Sequence, residues 1–236
     1  MLSIIIPVYN EADNISNVLS EIRDKVKTTT EIFIVYDFDE DNTMPIVNKW
    51  VQENTAKNII LIKNKGNGVL EAIKTGFRAD NNPFILVIMA DLSDDLAKVD
   101  EMVARANEGY DIVCGSRYMK GGKQIGGPAI KRALSRLAGL SLYFLTRIPT
   151  HDITNSFKLY SRKVLNSISI KSNGGFELGM EITVKAFLKG FKITEIPTTW
   201  TDRTAGKSRF KFFTWLPKYM KWYFLALTAM FRKFIV

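Results

Sequence analysis

The chain has 236 residues, 46% of them hydrophobic and 24% charged, with a formal net charge of +9; that is enough apolar material for one ordinary core and excludes a disordered tail protein. A single cysteine, Cys114, cannot close an internal disulfide, and with one histidine, His151, it cannot build a four-ligand Cys/His zinc cage, so any metal must sit on oxygen. Residues 1–111 carry 11 Lys/Arg against 19 Asp/Glu, whereas residues 112–236 carry 22 against 5, which suggests an acidic half suited to a metal or a cation-linked ligand, followed by a basic half suited to phosphate, nucleic acid or an anionic membrane.

Residues 1–10 are apolar but have no basic leader and soon meet Pro7, Asn10 and Glu11, so they read as a first strand, with no export expected. Short runs rich in Ile, Val and Phe then alternate with stretches whose apolar residues recur every three or four positions. The strands expected are 2–6, 31–36, 58–62, 84–89 and 111–114, and the helices between them are 13–26, 43–53, 68–78 and 96–107. Such an alternation implies an α/β fold, a Rossmann-like and mainly parallel sheet flanked by helices. Gly121, Gly122, Gly126, Gly127 and Pro128 make a flexible basic loop, a candidate lid, before an amphipathic stretch over 129–146. Residues 157–160 and 191–198 read as strands, with 177–188 as a helix between them.

The tail, 209–236, interleaves aromatic and basic residues, and its longest charge-free run, 222–231, has ten residues, well short of the roughly 20 that cross a bilayer as a helix. Two readings stand: a helix lying at an anionic membrane interface, or a terminal helix docked on the protein's own core or on a partner subunit. Residues 203–236 hold eight basic residues and no acidic one, which tilts the choice toward the membrane surface.

In open parallel sheets, ligands bind beyond the carboxyl ends of the strands. Three groups of carboxylates fall there: Glu11 after the first strand, Asp37, Asp39, Glu40 and Asp41 after the second, and Asp91, Asp94 and Asp95 after the fourth. On one rim they suit a nucleotide pocket in which a divalent ion bridges carboxylate and diphosphate oxygens. No P-loop and no G-x-G-x-x-G is present; Gly66-Asn67-Gly68, opening a helix, offers backbone N–H groups or simply turns the chain. Glu177 and Glu181 lie on the same side of one helix, which argues against the two facing carboxylates of glycoside hydrolysis and for pairing of Glu181 with Lys185. Cys114 and Met102 read as core, and His151 as structural.

The segments Ile4-Ile5-Ile6-Pro7-Val8-Tyr9-Asn10-Glu11, Tyr36-Asp37-Phe38-Asp39-Glu40-Asp41-Asn42-Thr43 and Met89-Ala90-Asp91-Leu92 resemble family 2 glycosyltransferases with the GT-A fold. Gly115-Ser116-Arg117-Tyr118 and Arg203-Thr204-Ala205-Gly206-Lys207-Ser208 narrow the resemblance to the polyprenyl-phosphate branch, similar to dolichyl-phosphate mannose synthase. The resemblance runs from residue 2 to about 210. It implies a GT-A domain over 1–208, with a nucleotide-sugar half (1–114) and an acceptor half (115–208), followed by an amphipathic, membrane-associated helix over 209–236. It implies that Pro7, Tyr9, Glu11 and Asp37 line the base and ribose, that Met89, Ala90 and Asp91 meet the nucleotide sugar, and that Asp91 with Ser93 holds Mg2+ or Mn2+. Arg117, Lys131 or Arg132, Ser135, Arg203 and Lys207 would surround the acceptor phosphate. Asp152 is either a catalytic, positioning carboxylate near the reacting centre or a turn and arginine partner.

Several positions depart from the family pattern. Tyr36 stands where a first aspartate is common, Met89 replaces the leading aspartate of D-x-D, Ser93 sits where glutamine often completes the metal site, and Asn155-Ser156-Phe157 replaces Ser-Gly-Phe. A lone Asp91 lowers the protein charge offered to a metal, although hydroxyl, diphosphate and water oxygens can complete a six-oxygen shell. The function implied is inverting transfer of a sugar from a nucleoside-diphosphate donor to a polyprenyl phosphate, dolichyl or undecaprenyl, by a peripheral protein at the cytoplasmic face of a membrane. The alternatives are a family 2 transferase to a sugar hydroxyl, a weakened nucleotide-sugar-binding membrane protein, and a nucleic-acid binder. No nucleic-acid motif supports the last, and no nucleic-acid partner is expected.

Overall fold

Strand β1 (Leu2–Val8) forms the centre of a parallel block and is buried along its whole length. It pairs with β2 (Thr30–Tyr36) on one side and β4 (Phe84–Val87) on the other, and β2 pairs with β3 (Ile59–Lys63), all parallel. Helices α1 (Ala12–Lys25), α2 (Thr43–Asn54) and α3 (Gly68–Ala79) connect them. A 3-10 turn at Leu96–Lys98 runs into α4 (Val99–Asn107), which leads to β5 (Ile112–Ser116). Beyond it lie β6 (Lys123–Ile125), α5 (Ala129–Thr146), β7 (Lys158–Ser161), α6 (Arg162–Ser167), α7 (Leu178–Leu188), β8 (Ile193–Pro197), β9 (Thr199–Thr201) and α8 (Phe212–Ile235). The computed structural model describes residues 1–203 and 212–235, with side chains over 1–203 and 214–230.

The main sheet has the order β3-β2-β1-β4-β7-β5-β8. Only β7 is reversed: it pairs antiparallel with both β4 and β5, while β5 and β8 are parallel. The mainly parallel α/β sheet is therefore as expected, apart from the reversal of β7. Neighbouring residues of β1 point to opposite faces. Leu2, Ile4, Ile6 and Val8 meet Ile15, Leu19, Val47 and Met102 on one side, whereas Ile5 meets Phe33, Ile73, Phe77 and Ile182 on the other. Met102 and Cys114 are core residues, as read from the sequence.

Glycine-rich segment 121–128 is not a loose loop. Within it β6 pairs parallel with β9 as a separate ribbon, and the Lys123 N–H donates to the Thr198 carbonyl at 2.9 Å while the Asp202 N–H donates to the Ile125 carbonyl at 2.9 Å. These backbone bonds fix the approach of residues 202 and 203 to the sheet rim.

A third apolar cluster joins α5, α7 and α8 through Leu142, Met180, Val184, Trp222 and Ala226. The Tyr219 hydroxyl donates to the Phe176 carbonyl at 2.6 Å, and the hydroxyls of Ser141 and Tyr223 lie 2.9 Å apart. One face of the C-terminal helix is therefore docked on the protein's own body. Of the two readings of the tail, docking on the protein's own core holds for this face, where Trp222 and Ala226 are buried. Gly139 on α5 lies against the backbone at 151; a Cβ there would stand 2.0 Å from the His151 carbonyl oxygen, so only glycine lets the helix approach this closely.

Candidate active site

The loops after β1 and β2 are sewn together by a buried carboxylate. Asp41 accepts the Asn10 N–H at 3.1 Å and the Thr43 N–H at 2.9 Å, and the Thr43 hydroxyl accepts the Glu11 N–H at 2.9 Å. Asp37 accepts the Asn64 side-chain amide and the Gly68 N–H, both at 2.8 Å. The N–H at the start of α3 is thus occupied by a carboxylate of the protein itself. Pro7 is buried within β1, in register with Val35. Tyr9 is exposed at the rim and meets Phe38 edge-on at 5.3 Å, while the Glu11 carboxylate accepts the Asn14 amide at 2.9 Å. Pro7, Tyr9, Glu11 and Asp37 thus lie on or beneath one rim.

After β4 the chain leaves the ladder at Val87, two residues before the expected end, and turns to present Asp91. Leu92 adopts φ 58°, a left-handed conformation uncommon for a leucine. The turn lets the Ser93 N–H donate to Asp91 Oδ1 at 3.2 Å. Arg203 Nη2 donates to Asp91 Oδ2 at 2.7 Å, and the Thr201 N–H donates to the Ser93 carbonyl at 3.1 Å. Met89 and Ala90 lead into this turn, and the Met89 N–H faces Asp94 at 3.4 Å. Burial, and after it the charge of Asp91, pushes the Asp94 carboxyl up to about 7.

The acceptor half centres on a buried ion pair. Arg117 donates to Asp152 through Nε at 2.6 Å, Nη2 at 2.9 Å and its backbone N–H at 3.0 Å, and Nη2 also donates to the Thr154 hydroxyl at 3.2 Å. The Arg117 side chain is 9% exposed and that of Asp152 is fully buried. Burial works against the charge on Asp152, but the Arg117 guanidinium and its hydrogen bonds hold the carboxyl below the usual range. Both Asp152 oxygens therefore serve Arg117. The guanidinium lies 4.9 Å from the Tyr118 ring centre. The Tyr118 hydroxyl bonds Ser135 and donates to Gln124 Oε1 at 3.0 Å.

Lys131 is half-buried at the start of α5. Its ammonium is held below its usual range by burial, then by the charge of Arg117 and, less strongly, of Arg203; Asp202 and Asp91 oppose the shift. Lys131 thus lies within electrostatic reach of both the donor-side carboxylate and the acceptor-side cations. Arg132 is exposed, and its carbonyl accepts from Ser135 at 3.1 Å. Lys207 lies outside the described residues.

Sequence reasoning missed Lys158, fully buried on β7. Its ammonium bonds the carbonyls of Ile153 and Asn155, bracing the 152–155 loop from beneath, and burial lowers its pKa. A lysine inside the run Phe157-Lys158-Leu159-Tyr160 was the available signal. Tyr118, part of the Gly115-Ser116-Arg117-Tyr118 motif, takes its role from its contacts with Arg117 and Ser135. Glu181, expected as a surface partner of Lys185, does pair with it but is buried and also accepts the N–H groups of Lys171 and Ser172 at 2.6 and 2.7 Å. Glu177 clamps the N–H groups of Gly174 and Gly175. Both glutamates hold loops, and His151 is a structural residue bonded to Glu195 and stacked on Tyr143.

Among the described residues, no three His, Cys, Asp or Glu side chains converge to cage a metal. The protein group offered at Asp91 is nevertheless a carboxylate, with the Ser93 N–H on Oδ1 and Arg203 on Oδ2. That fits a magnesium-type ion bound by one protein carboxylate and completed by substrate phosphate and water.

The family model described as Glycosyl transferase family 2 matches residues 3–169. A dolichol-phosphate mannosyltransferase of Pyrococcus furiosus is 27% identical over 232 residues, 94% of this chain and 64% of the relative. A polyprenol monophosphomannose synthase of Mycolicibacterium smegmatis is 27% identical over 211 residues, 87% of this chain and 79% of the relative. The chain therefore spans just under two thirds of the first relative's length. Among solved structures, a glucosyl-3-phosphoglycerate synthase from Mycobacterium tuberculosis, in complex with Mn2+, UDP and glucosyl-3-phosphoglycerate, superposes with a TM-score of 0.70 at 16% identity, covering 98% of this chain and 80% of its own. The mannosyltransferase PcManGT from Pyrobaculum calidifontis, in complex with GDP-Man and Mn2+, gives 0.68 at 16% identity, covering 95% of this chain and 63% of its own. The likeness extends to the whole α/β body, which has the GT-A fold.

Proposed function

The chain belongs to glycosyl transferase family 2, and from that premise we propose that it transfers a hexose from a nucleoside-diphosphate sugar to a polyprenyl phosphate, by direct, inverting displacement, at the cytoplasmic face of a membrane. The observation that carries this reading is the meeting of the donor-side carboxylate Asp91 with the acceptor-side cation Arg203 at 2.7 Å, with Lys131 within electrostatic reach of both and of Arg117. The two relatives named for phosphorylated polyprenols support the acceptor class. The neighbours bound to Mn2+ and nucleotide or nucleotide sugar support the donor class and a divalent ion, Mg2+ or Mn2+ alike.

A phosphate monoester has a second pKa of about 6, so near neutral pH it is already a nucleophile and needs no general base. Lys131, Arg203 and Arg117 draw the dianion into the cleft and aim one oxygen at the anomeric carbon. That oxygen forms the new C–O bond as the bond to the nucleoside diphosphate breaks, and the diphosphate leaves with the electron pair. A metal held by Asp91 and Ser93 would supply positive charge to the diphosphate. Asp152 acts through Arg117, as a positioning residue. A hydroxyl acceptor would require a free base, and Asp152 does not supply one, because both its oxygens are directed at Arg117.

Among the described residues, no helix is long and apolar enough to cross a membrane. Membrane contact in this reading is peripheral, through the outer faces of helices. The test is to incubate purified protein with membranes, magnesium and a panel of labelled nucleotide sugars, and then to extract lipid. Label should enter an acid-labile glycolipid with the wild type and not with Asp91→Ala; label that stays with the donor, or appears only as free sugar, would overturn the proposal.

A further inference from the structure

A cavity of about 600 Å³ opens between α3, α6 and the segment that follows α6. Asp80, which borders it, precedes β4, and Arg162 follows the reversed β7, so it lies at the end of the sheet opposite Asp91. Helix α3 joins the two ends: Gly68, at its start, donates to Asp37 on the rim, whereas Lys74, Phe77 and Arg78 line the cavity. Residues 68 and 78 are about 15 Å apart along the helix, which separates this cavity from the candidate active site.

Two helices turn matching faces inward. Lys74, Phe77 and Arg78 stand at i, i+3 and i+4 on α3, and Arg162, Leu165 and Asn166 repeat that spacing on α6. Phe77 and Leu165, with Ile168 and Ile170 behind them, form an apolar wall inside a polar rim. Arg162 fixes the walls, because it pairs with the buried Asp80 and its Nη1 donates to the Phe77 carbonyl at 2.8 Å. Its charge is matched within the protein. Lys74 and Arg78 differ: they share one partly exposed carboxylate, Glu71, at 2.9 and 3.7 Å, and so leave the cavity positive.

We infer that this cavity is a second binding site, for a small organic phosphate whose phosphoryl group meets Lys74 and Arg78 while its apolar body packs on Phe77 and Leu165. The volume falls within the roughly 300–1,000 Å³ of small-molecule sites, which combine an apolar lining with a few placed polar groups. Cations one helical turn apart, with about 5–6 Å between their Cβ atoms, converge on a single dianion. A carboxylate would bring only one charge. Arginine adds a planar fork of donors and lysine a point charge, and both suit phosphate oxygens. The sugar transfer proposed above uses none of these residues, so this site stands or falls apart from that reading.

Phenyl phosphate is the probe, because its dianion and its ring match the two parts of the site. The acceptor cations also attract phosphate, so titration calorimetry compares wild type, Lys131→Ala/Arg203→Ala and Lys74→Ala/Arg78→Ala, with circular dichroism checking each fold. The Lys131→Ala/Arg203→Ala protein should still bind one phenyl phosphate, and more tightly than inorganic phosphate. Adding Lys74→Ala/Arg78→Ala to it should weaken that binding at least tenfold, through loss of two charged hydrogen bonds. Glu71→Gln, which keeps both cations and removes their competing carboxylate, should tighten it about two- to fivefold; this variant tests the site even if the alanine pair disturbs the fold. Absence of binding in Lys131→Ala/Arg203→Ala would overturn the second site and assign the phosphate to the acceptor cleft alone. Undiminished binding without Lys74 and Arg78, an affinity unmoved by Glu71→Gln, or equal affinity for inorganic phosphate would overturn it as well.

Discussion

Asp152→Ala isolates the part of the acceptor half most dependent on structure. It removes three hydrogen bonds from Arg117, at 2.6, 2.9 and 3.0 Å, and leaves a guanidinium whose side chain is only 9% exposed without its counter-charge. Breaking a buried ion pair in this way costs about 3–5 kcal/mol. For a chain of this size each kcal/mol lowers the melting temperature by roughly 2–4 °C, so the expected fall is about 6–20 °C. Thermal unfolding followed by circular dichroism measures it. Replacing both partners, with Arg117→Met and Asp152→Leu, should recover much of the loss, because the unpaired charge is then gone. If Asp152→Ala melts within a degree or two of wild type, or if the double variant is as unstable as the single one, the pair is not what braces this half of the site.

Two further outcomes follow from the packing and the ionisation of the fold. Gly139→Ala places a Cβ against the His151 carbonyl, and the overpacking should destabilise the protein by about 1–3 kcal/mol, measurable by urea unfolding; an unchanged midpoint would contradict the close approach of α5. The carboxyls of Asp152, Asp100 and Glu181 resist burial through Arg117, through the Thr28 hydroxyl and the N–H groups of Lys27 and Thr28, and through Lys185 and Ser172, respectively, and all lie below their usual range. Depressed carboxyls stabilise the folded state above the unfolded value of about 4, and that stability is lost as pH falls through the folded values. The raised Asp94 carboxyl acts in the opposite sense, so melting temperature should rise as pH falls from about 7 toward 4 and then drop steeply below about pH 4, with a shallower acid limb in Asp152→Ala; equal slopes would argue against the assignment.

The parallel block was readable because its signals are local. Runs such as Leu2-Ser3-Ile4-Ile5-Ile6 are too apolar for a one-sided strand, and the stretches between them have helical spacing. The expected helix 129–146 matches α5. What sequence could not supply were features set by distant partners. The three-residue strands β6 and β9 have no apolar pattern of their own and exist through pairing with each other. Reversal of β7 depends on its fit between β4 and β5. For the site, the rim carboxylates and basic motifs were visible as residue types, but the grip of Asp152 on Arg117 spans 35 positions and that of Arg203 on Asp91 spans 112. Periodicity does not encode such distances.

The claim on which the functional reading depends is that cations of the later half of the chain hold the acceptor's phosphate beside a donor bound by the earlier half. The measurement that tests it most directly is the pair of Michaelis constants of Lys131→Ala, taken separately for nucleotide sugar and for prenyl phosphate. Loss of one charged hydrogen bond to phosphate should raise the acceptor constant roughly 10–100-fold and leave the donor constant near that of wild type. A rise confined to the donor constant, or no change in either, would contradict the arrangement.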